Sequence, residues 1–337
     1  QDVFVNACQN ALQSSTVPAR MVARGFFGRG KQESGLPSTL RAATTDVLKR
    51  IRTGERQVLD GVDPRHELPP FIPKAVWDNL GNLVRECEAD VGALPKKGWI
   101  TLRLDGCGWS TMLKQLRSSG VLSRGYSLMI ADQMGTICRR LMIKFGAVLG
   151  YTHSDELTIF IPPGERALDG CARKWISTAA SIATAESNRG FLKAAVDAGA
   201  SLDDLPLSTF DCRVGRFSTE NEAMSLLLWR ASDCTKNAAS DGVYRLRGPA
   251  KANTQIMRGS TVAKLKYLTK VGALPMDRHQ AYGSIFAVQP VTSTLVAGHQ
   301  ELDVVLVNDG ADGTLPMHVL NLVRQTPLLS EPWPKKK

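Results

Sequence analysis

Apolar residues recur along this chain with two periods. From Trp99 to Leu104, the apolar Ile100, Leu102 and Leu104 alternate with Trp99, Thr101 and Arg103. That period of two predicts a strand. Asp105-Gly106-Cys107-Gly108 follows and reads as a turn. Helical spacing appears within Ala75–Ala89, through Val76, Leu80, Leu83 and Val84, and again within Tyr126–Gly146, through Met134, Ile137, Cys138, Leu141, Met142 and Phe145. Two short apolar segments, Ala147–Tyr151 and Leu157–Ile161, flank Thr152-His153-Ser154-Asp155-Glu156. They predict a β-hairpin with acids at its tip. Gly170–Ala185 reads as a small-residue helix with Trp175 and Ile176 on its apolar side. Phe210–Phe217 reads as a strand and Glu220–Ala239 as a helix bearing Leu226, Leu227, Trp229 and Arg230. Val291–Val296 and Leu302–Val307 are strand-like.

Proline and glycine divide this pattern. Pro69, Pro70 and Pro73 precede the first helix, and Leu94-Pro95-Lys96-Lys97-Gly98 reads as a linker. The expected division is an N-terminal extension over 1–96, a central domain over 97–288 and a strand-rich C-terminal extension over 289–337. The last residues, Pro332-Trp333-Pro334-Lys335-Lys336-Lys337, read as a frayed basic tail.

Composition narrows the class. The chain has 337 residues, 43% of them hydrophobic, which excludes wholesale disorder and leaves ample length for a buried core. No uncharged apolar run approaches the ~18 residues of a membrane-spanning helix, so no membrane role is expected. A formal net charge of +10 favours a polyanionic partner. Seven cysteines, without any C-x-x-C spacing, fit reduced thiols in an intracellular compartment better than a zinc ribbon or a disulfide scaffold. Residues 1–32 contain Arg20, Arg24, Arg29 and Lys31 against the single acid Asp2. This suits a mitochondrial transit segment or its remnant, with a basic RNA-facing arm as the alternative and a cytoplasmic location as runner-up.

Two carboxylates stand where chemistry is expected. Asp105 ends a strand, and Asp155 lies at a hairpin tip across one long helix. If strand and hairpin are sheet neighbours, both acids meet at one edge. Such a pair suits Mg²⁺, which takes one or two protein carboxylates and completes its shell with phosphate oxygens. Two ions would clamp the oxygens of a phosphoryl transfer, with Glu156 behind or beside them. The glycines between Asp105 and Ser110 would let backbone N–H groups approach a triphosphate. Taken alone, Asp-Gly is also a common turn and Ser-Asp-Glu a common polar tip. His66, His153, His279, His299 and His318 are dispersed, and Ser154 has no partner pattern of a hydrolase nucleophile. Arg258, Lys264, Lys266 and Lys270 form a basic stretch that reads either as a solvated helix face or as a phosphate contact.

The strings themselves are more specific. Arg103-Leu104-Asp105-Gly106 followed by His153-Ser154-Asp155-Glu156 resembles the tRNA-histidine guanylyltransferase family and its guanylyltransferase-like relatives, the 3′–5′ nucleotide polymerases. Phe210-Asp211-Cys212-Arg213-Val214 is similar to the family's Phe-Asp-Gly-Arg-Val strand, and Leu228-Trp229-Arg230-Ala231-Ser232-Asp233-Cys234 to its Trp-Arg-x-x-Asp-Cys segment. Leu274-Pro275-Met276 and the small-residue helix with Lys174 match in the same order, over roughly 97–288. The resemblance implies an α+β, polymerase-palm-like (ferredoxin-like) antiparallel sheet with helices, plus the two extensions. It implies two Mg²⁺ on Asp105, Asp155 and the Gly106 carbonyl, with Glu156 as the acid beside them. Residues Asp105, Gly106, Cys107, Gly108, Trp109, Ser110, Ser154 and Asp155 would hold ATP, GTP or another NTP. Arg103, Lys174, Arg213, Lys264, Lys266 and Lys270 would contact phosphate or RNA. The implied reaction adds nucleotides to a tRNA 5′ end, in a dimer, a tetramer or a larger complex.

The departures point within the family. Members that guanylylate tRNA-histidine carry His-Ile-Asn-Asn-Leu-Tyr-Asn after the Asp-Cys pair; here the chain reads Thr235-Lys236-Asn237-Ala238-Ala239-Ser240-Asp241. Cys212 stands where the family strand has Gly. This favours the branch that repairs truncated tRNA 5′ ends. The rivals are another palm-fold NTP enzyme, such as a cyclase, and a catalytically idle RNA-binding descendant within a mitochondrial ribonucleoprotein.

Overall fold

The computed structural model describes residues 58–66, 74–88, 92–123, 125–164, 166–247, 256, 258–296 and 299–306. The basic stretch 1–32 and the tail Pro332–Lys337 lie outside them. The elements run α1 (Lys74–Glu88), β1 (Trp99–Gly106), α2 (Trp109–Ser118), α3 (Leu128–Phe145), β2 (Leu149–His153) and β3 (Glu156–Ile161). They continue with α4 (Ala172–Asp197), β4 (Phe210–Phe217), α5 (Glu220–Arg247), α6 (Thr261–Lys270), α7 (Arg278–Tyr282), β5 (Ser284–Val296) and β6 (His299–Leu306). No helix among the described residues is long and apolar enough to cross a membrane.

The six strands among the described residues form one sheet in the order β4-β1-β3-β2-β5-β6. Every pairing is antiparallel. Successive side chains on a strand face opposite sides, so β1 has two different faces. Ile100, Leu102 and Leu104 join Leu157, Ile159, Ile161, Cys212 and Val214 in a core under α2, α3 and α4. The opposite face is covered by α1 and α5, whose Leu80, Val84, Leu226 and Leu227 pack with Tyr151, Phe160 and Phe217. A third cluster joins Val62 to Val243, Leu265, Leu268 and Leu274.

The central sheet with helices on both faces is the α+β antiparallel architecture expected. The hairpin differs in detail, because β2 runs on to His153 and β3 begins at Glu156, leaving a two-residue turn at Ser154-Asp155. Helices α4 and α5 each run further than their apolar periodicity suggested.

The proposed segment boundaries do not coincide with breaks in packing. α1, from the expected N-terminal extension, buries Leu80 and Val84 against the sheet, and β5 and β6 continue that sheet past residue 288. Leu94–Gly98 is not a free tether either. Leu94 N–H donates to the Gly170 carbonyl at 2.8 Å, and Arg166 donates to the carbonyls of Pro95 and Gly98 at 2.8 Å each. A polar Pro-Lys-Lys-Gly string reads as a loop, but Arg166 holds the Pro95 and Gly98 carbonyls, and the Gly164 N–H donates to the Lys96 carbonyl at 2.9 Å.

Candidate active site

Strand pairing builds the site. β1 lies between β3 and β4, so Asp105 stands in register with Glu156 on one side and Asp211 on the other. Residues in register share a face, so all three acids are placed on the α1–α5 side. The turn carrying Asp155 is tied to the end of β1, where Gly106 N–H donates to the Asp155 carbonyl at 3.2 Å. Ser154 adopts a left-handed φ of 51°, uncommon for a residue with a side chain, and its hydroxyl donates to Asp155 Oδ1 at 2.9 Å.

Burial raises the Asp155 carboxyl above its ordinary range, and the charge of Asp105 adds to the rise, while the Ser154 hydroxyl opposes it. The two acids therefore repel each other across the edge. No three His, Cys, Asp or Glu side chains among the described residues converge as a closed metal cage. Paired carboxylates on an open edge nevertheless match Mg²⁺, which takes much of its shell from nucleotide phosphates. By donor chemistry, Asp105 and Asp155 fit the implied ions.

Beside the acids the chain turns into α2. Gly108, at φ 69°, caps this helix without a side-chain hydrogen bond. Its backbone N–H groups are thus placed for an anion. Cys107, Gly108 and Ser110 are exposed, as nucleotide contact requires. Trp109 is not. Its ring is 2% exposed and meets Phe191 and Phe210 edge-on, with centroids 5.7 and 5.4 Å away. A Cβ on Gly106 would fall 2.2 Å from that ring, so the glycine is there for the tryptophan to fit. Trp109 can serve a nucleotide only through its backbone.

The expected phosphate contacts separate. Arg103 is 4% exposed, and its Nε and Nη2 donate to the two Glu88 carboxylate oxygens at 2.9 and 2.6 Å. It is committed to a buried ion pair and is not open to phosphate. Lys174 sits at the start of α4, where Ala93 bridges Cys171, and is 3.7 Å from Asp169. The part of α4 nearest the acid edge is Phe191, against Trp109. Trp175 and Phe191 are separated by roughly 24 Å of helix at about 1.5 Å per residue, so Lys174 is remote from the site. Arg213 is half-exposed and donates to Asp211 at 2.9 Å. Lys266 and Lys270 are exposed on α6, whereas Lys264 donates to Ser240 at 2.9 Å.

Glu156 and His153 face inward and meet Arg230, a residue to which the sequence reading gave no role. Arg230 Nε is 2.5 Å from Glu156 Oε1, and its Nη2 is 3.3 Å from His153 Nε2 and 3.2 Å from Asp233. Burial pushes the Glu156 carboxyl up to about 7, against the pull of Arg230 and Arg103. Burial, then Arg230, holds the His153 imidazole down to about 3, so it is neutral and accepts from the guanidinium. The available signal was the spacing of Arg230 and Asp233, three apart on one helix face. Asp211, too, was legible only as part of a string.

Residues 81–218 match the family model of tRNAHis guanylyltransferase. The uncharacterized protein R259 of Acanthamoeba polyphaga mimivirus is 24% identical over 240 residues, covering 65% of this chain and 80% of its own. Among solved structures, a bacterial tRNA(His) guanylyltransferase (Thg1)-like protein in complex with ATP superposes with a TM-score of 0.51 at 20% identity, over 72% of this chain and 93% of that one. The same kind of bacterial protein in complex with GTP gives 0.51 at 19% identity, over 76% and 100%. These likenesses show the fold. The span that matches the tRNAHis guanylyltransferase family model, residues 81–218, contains Asp105, Asp155 and Asp211.

Proposed function

We propose that this chain is a Mg²⁺-dependent 3′–5′ nucleotidyltransferase that rebuilds the 5′ ends of tRNA. The observation that supports this reading is the joining of Asp105 and Asp155 at one sheet edge, through the Gly106–Asp155 hydrogen bond, beside the open start of α2. Asp105, Asp155 and the Gly106 carbonyl would hold two Mg²⁺, which would supply charge neutralisation at the reacting phosphates. The exposed Gly108 and Ser110 at the start of α2 would receive the triphosphate, while the Cys107 N–H donates to the Thr209 carbonyl at 2.9 Å. Lys266 and Lys270 would draw the RNA backbone to the enzyme. In the first step, the tRNA 5′-monophosphate attacks the α-phosphate of ATP and releases pyrophosphate. In the second, the 3′-hydroxyl of an incoming NTP attacks the activated 5′-phosphate, forms the phosphodiester and releases AMP. Assembly as a dimer or tetramer and a mitochondrial location, suggested by the acid-poor residues 1–32, belong to the same proposal.

Repair is favoured over guanylylation of one tRNA by the contacts of Thr235–Asp241. Thr235 donates to the Ala231 carbonyl at 3.2 Å, and Lys236 Nζ lies 3.8 Å from the centroid of the Trp77 ring. Asn237 donates to Asp233, and Ser240 accepts from Lys264. These residues are engaged within the protein, which leaves base pairing with the opposite tRNA strand to choose the nucleotide. The test is a competition between a 5′-truncated, 5′-monophosphorylated non-histidine tRNA and full-length tRNA-histidine lacking its extra guanosine, with ATP and labelled NTPs. Extension of the truncated tRNA by complementary nucleotides supports the proposal. Extension of only the histidine tRNA, always by one guanosine, overturns the repair reading.

A further inference from the structure

Behind the acid edge, one buried cation touches both ends of the turn that presents Asp155. His153 is the last residue of β2 and Glu156 the first of β3, so they bracket Ser154-Asp155. Arg230 reaches both from α5, at 3.3 Å to His153 Nε2 and 2.5 Å to Glu156 Oε1. The latter is a contact of opposite charges without hydrogen-bond alignment. The guanidinium is itself held from two sides. Asp233 accepts from Nη2 at 3.2 Å, and the Trp229 ring lies under it at 4.7 Å. Arg230 is 8% exposed, so it is closed to a tRNA phosphate.

The turn needs such a hold. Ser154 is in the left-handed region, where a residue with a Cβ persists only if its surroundings impose the conformation. The only backbone contact from β1 to the turn among the hydrogen bonds described is Gly106 N–H to the Asp155 carbonyl. Glu156 is paired in register with Asp105. A planar fork that grips His153 and Glu156 at once therefore sets the turn against the end of β1. A lysine, as a single point charge, cannot reproduce the fork.

We propose that Arg230 is a positioning residue that clamps the Ser154–Asp155 turn from α5 and thereby fixes where Asp155 stands beside Asp105. The proposal rests on the functional reading above, because the clamp matters to the extent that Asp155 must meet a fixed partner. It acts through other residues and touches neither nucleotide nor RNA.

The experiment uses the full chain as Arg230→Lys, with Asp233→Asn as a second variant that loosens the guanidinium while leaving its charge in place. Two measurements are made. Amide exchange of Gly106 N–H reports the turn directly, and Mn²⁺ binding in the presence of ATP, followed by the electron spin resonance of the free ion, reports the acid pair. The expected result for Arg230→Lys is Gly106 exchange at least tenfold faster, with the Leu104 and Ile159 amides unchanged, and Mn²⁺ affinity at least fivefold weaker. Asp233→Asn should move both in the same direction by less. If Arg230→Lys does not fold, Asp233→Asn decides, and wild-type Gly106 exchange in it overturns the clamp. A uniform acceleration of all β1 and β3 amides with unchanged Mn²⁺ affinity marks a merely structural role and overturns it as well. If the wild-type protein holds Mn²⁺ and Arg230→Lys holds it equally well, the clamp alone is wrong. If the wild-type protein holds no Mn²⁺, the functional reading falls and the clamp with it.

Discussion

Both faces of the sheet carry apolar packing, but the α1–α5 face buries ion pairs within it as well. On the α2–α3–α4 side, Leu102, Leu104, Ile159 and Val214 are fully or almost fully buried among Met, Ile and Phe side chains. On the α1–α5 side, the same strands bury Arg103 and Glu156, with Glu88 and Arg230 supplied by the covering helices. Apolar packing tolerates local rearrangement at moderate cost. A buried ion pair does not, because removing one partner strands the other in a poorly solvating interior. The buried ion pairs therefore add little net stability but fix positions, and Asp105 and Asp155, the acids proposed to hold Mg²⁺, sit at the edge of that face. Thr101 and Thr158 extend the contrast, since their hydroxyls are buried without a hydrogen-bond partner among the described residues.

The sharpest test of this difference is Arg103→Met, which strands Glu88. It should cost about 3–5 kcal/mol in urea denaturation, whereas Arg103→Met with Glu88→Gln should recover a large part of that. Leu102→Ala on the other face should cost about 2–5 kcal/mol, with no comparable rescue from a second substitution. Equal, additive losses on both faces would remove the distinction. Asp105→Ala should leave the midpoint of unfolding nearly unchanged while lowering nucleotide addition by a factor of 100 or more, about 2.7 kcal/mol of transition-state stabilisation. Wild-type turnover in that variant would disconnect the edge from the chemistry.

Smaller effects refine the comparison. Thr158→Val replaces an unpartnered buried hydroxyl with a methyl group and should stabilise the fold by about 1 kcal/mol; a loss of stability would reveal a partner for that hydroxyl. The smallest effect concerns His66, which stacks on Tyr282 with ring centroids 5.8 Å apart. Burial holds its imidazole below 6.5, against the weaker pull of Asp63. The folded state thus favours neutral His66. Its contribution to stability is complete above pH 6.5 and declines as the pH falls below that value toward the lowered folded pKa. His66→Phe, which keeps a ring on Tyr282, should show a shallower loss of stability between pH 7.5 and pH 5. Identical slopes would mean that His66 is not buried as a neutral ring.

Much of this organisation was legible along the chain. The alternation at Ile100, Leu102 and Leu104 foretold a two-faced strand, and the helical spacing of Ile137, Leu141 and Phe145 foretold a core helix, because both periods are local consequences of backbone geometry. Asp105 and Asp155 were recognisable as a strand end and a hairpin tip, and the strings around them resemble the tRNA-histidine guanylyltransferase family, whose model matches residues 81–218.

The partners of the charged residues were not legible in this way. Arg103 was expected to contact phosphate or RNA because its string matches the family's and contains Asp105, yet it is buried on Glu88, in a helix read as part of an extension. Lys174 lies on a matching helix, but the length of α4 carries it to the far end. Trp109 belongs to a matching turn, but its ring fills the core between Phe191 and Phe210. Local pattern by itself determined which residues lie on strands, helices and turns, since φ, ψ and side-chain direction repeat over a few residues. Only the tertiary structure decided which charge neutralises which. A buried ion takes whichever opposite charge strand register and helix packing bring within a few ångströms, and for Glu156 that is Arg230, from a helix far along the chain.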